Sequence, residues 1–363
     1  MQIIQDRRAL HQIPEPDLRL PKTTAYVRNA LAGLRCTVFS PAESSVCAWF
    51  DFGADRSIAF RADMDALAIA EKTGLPFAST HPGYMHACGH DGHTAMLLEL
   101  ARRLNAKETL GVNVLLVFQP AEETVGGAHA ICQSGVFQQY GVEAIFGLHL
   151  WPGVPKGRIA GRKNELMART CEIRVDITGR SCHIAKAENG IDALKAAVKF
   201  YTRITGMADA LPENIRRLLN FGRFDSGTAL NIVSGHTHME GTLRAFQDEI
   251  FDQLADGIRC AAGQIAEETG CTFDLSMSEG YPAVINPPEL FESTARKSGA
   301  DILGLPQPCM IAEDFSWYQR TIPGLFFFLG VGDTPALHAN NFQFDESVLT
   351  VGADFFQKIA ETY

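Results

Sequence analysis

The apolar positions of this chain follow two different rhythms. In its first part, strand-length apolar runs at residues 112–118 and 144–148 flank other element types. Residues 57–62 read as a further strand that ends in the acidic pair Asp63 and Asp65. Between them, residues 94–104 carry Leu97, Leu100, Ala101 and Leu104 at helical spacing. Continuous apolar strands are the kind buried on both faces, so the pattern predicts an α/β domain with a mixed sheet flanked by helices. Open sheets of this kind place functional residues at strand ends.

The middle of the chain changes character. Cys171, Ile173, Val175 and Ile177 alternate with Glu172, Arg174, Asp176 and Thr178, the mark of a half-buried strand. A helix is expected over 191–204, strands near 219–224 and 238–246, and a second helix over 250–266. A last alternating strand runs through Cys271, Phe273, Leu275 and Met277. The order β-α-β-β-α-β is ferredoxin-like. After Tyr281-Pro282 the αβ character returns, with a glycine-bracketed apolar strand at 324–330. The expected architecture is a discontinuous catalytic domain, residues 1–168 and 279–363, with an inserted α+β ferredoxin-like domain at 169–278.

Composition narrows the setting. The 363 residues are 46% hydrophobic and 20% charged, ordinary for a soluble enzyme of about two domains. A net charge of −10 without a basic stripe argues against nucleic acid and anionic membranes as partners. No apolar run approaches the roughly 18–20 residues of a membrane span, and the first ten residues lack the apolar core of a signal peptide. Nine cysteines without paired spacing point to reduced thiols and a cytoplasmic location.

Candidate chemistry sits in four places. Met85-His86-Ala87-Cys88-Gly89-His90-Asp91-Gly92-His93 holds three histidines, a cysteine and an aspartate within nine residues, and Cys and His are good transition-metal ligands. Gln119-Pro120-Ala121-Glu122-Glu123 follows a buried strand, where adjacent carboxylates are costly unless something positive holds them. His149 and His338 lie at a strand end and in a loop. Taken singly, His149 reads as a hydrogen-bonded core histidine, Cys88 as a buried thiol, and the Glu122-Glu123 pair as solvated or as a helix N-terminal pair. Together they read as a metal site, although spacing alone does not assign the ligands.

These segments resemble the aminoacylase–carboxypeptidase family of di-metal peptidases. The branch they are most similar to holds hippurate hydrolases, bacterial N-acyl-amino-acid amidohydrolases and plant auxin-conjugate hydrolases. Further matching stretches are Arg8-Ala9-Leu10-His11-Gln12-Ile13-Pro14-Glu15, Arg61-Ala62-Asp63-Met64-Asp65-Ala66-Leu67, Thr73-Gly74-Leu75-Pro76-Phe77-Ala78, Gly147-Leu148-His149, Glu313-Asp314-Phe315 and Leu337-His338. The resemblance implies two divalent metal ions per subunit, Mn²⁺ or Zn²⁺ foremost and Co²⁺ or Ni²⁺ also suited. Their ligands would be Cys88, His90, Glu123, His149 and His338, with Glu122 as catalytic base. Asp63 and Asp65 would orient ligands from behind, and His86 and His93 would be structural.

The resemblance also implies a homodimer formed through the inserted lid domain. His183 would then reach into the partner's active site, and Asn231 and Arg244 would grip the substrate carboxylate. Around these positions the chain departs from the family pattern, at Ser181-Cys182, Ile184-Ala185-Lys186-Ala187-Glu188-Asn189-Gly190 and Ser234-Gly235-His236. The implied activity is hydrolysis of the amide bond of small N-acyl amino acids. A dipeptidase or carboxypeptidase with the same machinery is the alternative, and a non-catalytic binding protein a more distant one.

Overall fold

The computed structural model describes all 363 residues, which divide into two compact units. The first comprises Met1–Leu166, Val284–Pro308 and Glu313–Tyr363; the second comprises Met167–Ala283 and Cys309–Ala312.

The first unit is built on an eight-stranded mixed sheet. In spatial order its strands are Thr37–Phe39, Val46–Phe50, Asn113–Gln119, Ser57–Asp63, Val142–Pro152, Gly324–Gly332, Ile159–Gly161 and Leu303–Gly304. The four central strands, from Asn113–Gln119 to Gly324–Gly332, are parallel to one another. Both Asn113–Gln119 and Ser57–Asp63 are buried along their whole length, which is why their sequences do not alternate.

The register separates the two faces of this sheet. Arg61 pairs with Gly147, Asp63 with Gln119, and Phe328 with His149. Side chains alternate along a strand, so Arg61, Asp63, Gln119 and His149 point to one face. The opposite face carries Phe60, Leu116, Phe118, Phe146, Leu148, Phe327 and Leu329, all members of one apolar core. Helices His90–Asn105 and Val348–Thr362 cover that core through Leu97, Leu100, Leu349 and Phe356.

Helix His90–Asn105 begins four residues before the expected start at Thr94. Its first turn is polar yet buried, so a search for apolar spacing passes over it. The turn into it needs Gly89, whose φ is +88°. A side chain there would also press on Leu150, with Cβ 3.0 Å from Cδ1.

The second unit has four antiparallel strands in the order Thr272–Met277, Arg169–Thr178, His236–Ala245 and Arg217–Ser226. With helices Ala193–Asp209 and Asp248–Thr269, the chain order is β-α-β-β-α-β. Ile173, Val175, Met239 and Leu243 pack with Phe200, Ile204, Leu254 and Ile258 in this unit's own core. The alternate residues Arg174, Asp176, His238 and Glu240 stand on the other, more open face.

Candidate metal centre

Five of the predicted residues converge in the first unit. Donor atoms of Cys88, His90 and His149 lie within 4.8 Å of one another, and so do those of Cys88, Glu123 and His338. Cys88 belongs to both groups. The donors come from the turn before helix His90–Asn105, the helix's first residue, the turn after Asn113–Gln119, strand Val142–Pro152, and the loop after Gly324–Gly332. Two non-glycine residues here hold left-handed backbone, Ala121 at φ +57° and His338 at φ +64°. Such strain costs on the order of 1–3 kcal/mol per residue and persists where the surroundings enforce it. The His338 N–H donates to the Ala87 carbonyl at 2.9 Å, which ties the far loop to the Cys88 turn.

Hydrogen bonds decide which histidines are available as ligands. His149 Nδ1 donates to the Leu150 carbonyl at 2.7 Å, leaving the Nε2 lone pair facing Cys88 Sγ at 3.4 Å. His93 is fully engaged: Nδ1 meets Asp63 Oδ1 at 2.6 Å and Nε2 accepts from the Leu150 N–H at 2.9 Å. Both of its ring nitrogens are thus already taken by protein partners. His86 is buried with neither ring nitrogen hydrogen-bonded and lies in neither donor group; burial holds its pKa down at about 3.

His90 is different. Both its nitrogens are buried without a hydrogen bond, yet carboxylates surround it. Nδ1 is 3.4 Å from Asp65 Oδ1, and Nε2 is 3.7 Å from both Asp63 Oδ2 and Glu123 Oε1. Burial lowers its pKa, but Asp63, Asp65 and Glu123 raise it to about 10. Burial pushes the Cys88 thiol well up, and the charges of Glu123, Glu122 and Asp63 push it further. Glu123 Oε1 is buried and 3.1 Å from His338 Nε2. Orphaned imidazole nitrogens, a thiol and a buried carboxylate oxygen facing one another form a donor set that fits divalent transition-metal ions.

Behind the donors lies a layer of fixed charges. The two oxygens of Asp65 accept the backbone N–H groups of Glu122 and Glu123, each at 3.0 Å. This clamp sets the direction of both glutamates. Arg61, 2% exposed, donates to Asp63 at 2.7 Å, Glu313 at 2.9 Å, Asp314 at 2.8 Å and Gln119 at 2.8 Å. Gln119 passes the network on to Asp314 and to the Tyr318 hydroxyl. Carboxylate oxygens of Glu122, Glu313 and Asp314 come within 4.8 Å of one another. Burial, then Glu313, Glu123 and Asp314, raise the Glu122 pKa well above the usual range, against the pull of Arg61. Glu313 rises to about 8 through burial and its acidic neighbours, again against Arg61.

Sequence reasoning did not assign Arg61 or its partners Gln119, Glu313, Asp314 and Tyr318 a part in this centre. Their signal was a lone arginine in a buried strand, which requires counter-charges from elsewhere.

The remaining predicted residues belong to the second unit. His183 is exposed and caps the short helix Ile184–Asn189, its Nδ1 accepting from the Ala185 N–H at 3.1 Å. The exposed Asn231 is beside it, joined by a hydrogen bond from the Ile184 N–H to the Asn231 carbonyl. Arg244 stands elsewhere. It lies near the far end of strand His236–Ala245, some eight residues or roughly 26 Å along it. There its Nη1 donates to the Met310 carbonyl, while Nε is buried without a partner. The structure brings His183 and Asn231 together but not Arg244 with them.

This fold and donor set define a metal-dependent hydrolase. The chain belongs to peptidase family M20/M25/M40, whose family model matches residues 59–362. It is 34% identical over 378 residues to an uncharacterized hydrolase of Staphylococcus aureus strain USA300, covering 99% of this chain and 98% of that one. Among solved structures it resembles the Bacillus subtilis YXEP protein, described as a dinuclear metal binding peptidase from the M20 family. The TM-score is 0.85 and the identity 33%, over 99% of this chain and 96% of that one. It also shares its fold with an aminobenzoyl-glutamate utilization protein from Klebsiella pneumoniae, at TM-score 0.72 and 20% identity over 100% and 95% of the two chains. No helix is long and apolar enough to cross a membrane.

Proposed function

We propose that this protein hydrolyses the amide bond of small N-acyl amino acids, releasing a carboxylic acid and a free amino acid. The observation that carries the reading is the pair of donor groups sharing Cys88, with Glu122 clamped beside them. Cys88, His90 and His149 would hold one divalent ion, and Cys88, Glu123 and His338 a second. Such ions, when bound, supply Lewis-acid polarisation of a carbonyl and bring the pKa of water toward neutrality.

Glu122 then acts as the general base. Its carboxylate takes a proton from the attacking water and later delivers it to the leaving amine nitrogen. A group that must both take and give a proton works best with a pKa near the working pH, and the burial and acidic neighbours of Glu122 push it in that direction. Asp65 holds the Glu122 backbone N–H at 3.0 Å, which keeps the carboxylate beside the donors.

The second unit would serve as lid and dimerisation domain. Because His183 Nδ1 accepts a backbone hydrogen bond, the neutral ring carries its proton on Nε2. That N–H suits stabilisation of the oxyanion in a partner subunit's centre. Asn231 and Arg244 would grip the substrate carboxylate, a planar group that an arginine fork suits.

The test is hydrolysis of N-acetyl, N-benzoyl and longer N-acyl amino acids alongside dipeptides. Chelated enzyme would be compared with enzyme resupplied with Mn²⁺, Zn²⁺, Co²⁺ or Ni²⁺. Metal-restored cleavage of an acyl class is the expected result. Cleavage of dipeptides alone would shift the assignment to a dipeptidase.

A further inference from the structure

A buried charge relay in the first unit ends on the turn that carries Cys88 and His90. Arg7 and His11 stand one turn apart on helix Gln2–His11, so both face the same way. Both reach Asp91, the second residue of helix His90–Asn105. His11 Nδ1 lies 2.8 Å and Arg7 Nε 2.9 Å from one oxygen, Asp91 Oδ2. A carboxylate accepts and does not donate, so His11 Nδ1 carries a hydrogen. On its other side His11 Nε2 is 3.3 Å from Glu71 Oε1, and Glu71 Oε2 accepts the Ser79 N–H at 2.6 Å. The side chains of Arg7, His11 and Asp91 are 2% exposed or less, so water does not compete for these bonds.

Arg7 has a second hold. Its Nη1 donates to Glu346 Oε1 at 3.2 Å, and its guanidinium lies 5.0 Å from the Phe77 ring centre and 4.6 Å from that of Phe344. Phe344 and Glu346 belong to the segment that follows His338, and Phe344 lies against the first turn of helix His90–Asn105, where a Cβ on Gly92 would meet its Cζ at 3.1 Å. The relay therefore joins the Cys88–His90 turn to the segment after His338. Neither Arg7 nor His11 belongs to a donor group. We infer that Arg7 and His11 are positioning residues of the metal centre, acting through Asp91 to fix where the Cys88–His90 turn stands. The inference rests on the reading of Cys88 and His90 as ligands. Hydrogen-bonded groups behind a ligand commonly set its orientation and the affinity for the ion.

Two substitutions of one residue separate this role from packing. Asn places an amide N–H near the Nδ1 position of histidine and can still donate to Asp91, whereas Gln places it near Nε2, toward Glu71. Arg7→Lys keeps the charge but not the fork. Full-length chelated protein would be titrated with Co²⁺, following the thiolate-to-cobalt absorption band, with circular dichroism to verify folding. His11→Asn is expected to keep the affinity and the band of the wild type. His11→Gln and Arg7→Lys should bind about ten- to a hundredfold more weakly, with a shifted band. Wild-type affinity in either of these two would overturn the inference. So would equal weakening in His11→Asn and His11→Gln, which would leave the ring a packing role alone. The His11 pair decides the question even if Arg7→Lys does not fold. A wild type without the band, or a band that survives Cys88→Ala, would overturn the ligand assignment and this inference with it.

Discussion

Arg61 and Arg223 each face carboxylates on a sheet surface, in different units of the protein. Around Arg61 the side chains are 2% exposed or less, and three carboxylates share one guanidinium. Around Arg223 the side chains are more than one-third exposed, and Asp225 and Glu240 are open to solvent. The residue types are the same, but the dielectric is not. A buried charge loses its hydration and must be held by its partners, so removing one partner leaves the rest uncompensated. An exposed pair is screened and contributes little to stability. The first cluster is fixed by its burial, whereas the second can exchange its partners for solvent.

The sharpest way to break this comparison is to remove both arginines in turn. Arg61→Met is expected to cost about 3–5 kcal/mol by chemical denaturation, or to prevent folding. Arg223→Met should leave the unfolding midpoint unchanged. Equal effects would show that burial does not distinguish the clusters.

Next in size is Glu122→Gln, which should lower turnover on the best acyl substrate by about 10²–10⁴-fold with metal content unchanged. Retained turnover would remove Glu122 from the base role and leave it a member of the charge layer only.

The smallest effect concerns pH at the exposed cluster. Hydrogen bonds to Asp176 and Glu240 raise the His238 pKa above its ordinary 6.5, and the same contacts lower those of Asp176 and Glu240. A raised histidine adds stability that is present below its unfolded pKa and lost as pH rises through the folded one. The depressed carboxylates add stability present above their unfolded values and lost as pH falls through the folded ones. The combined contribution therefore spans the window between them. His238→Ala should be slightly less stable than wild type near pH 5 and indistinguishable from it near pH 9. His236, Arg174 and Arg223 face the same group, so high salt should erase the difference.

These two clusters also mark what a sequence discloses. Strands such as Asn113–Gln119 and Arg169–Thr178 were legible because apolar spacing reports burial directly. Cys88, His90, Glu123, His149 and His338 stood out through residue type and a known resemblance. The partnership of Arg61 with Glu313 and Asp314 did not, because it spans 252 and 253 residues and only the folded register creates it. The separation of Arg244 from Asn231 was hidden for a related reason. Thirteen positions look close in a sequence, yet an extended strand carries its ends far apart.

The sheet of the first unit has a consequence for how the protein is made. Strand Gly324–Gly332 lies inside that sheet, between Val142–Pro152 and Ile159–Gly161, but leaves the ribosome long after either neighbour. While the second unit is being synthesised, Val142–Pro152 has an unpaired edge, and Arg61 awaits two of its three acidic partners. The nascent chain must therefore carry an open, apolar sheet edge through nearly half of its translation. Late closure by a distant strand is slow, and the interval before it is when this protein is most exposed to misassembly.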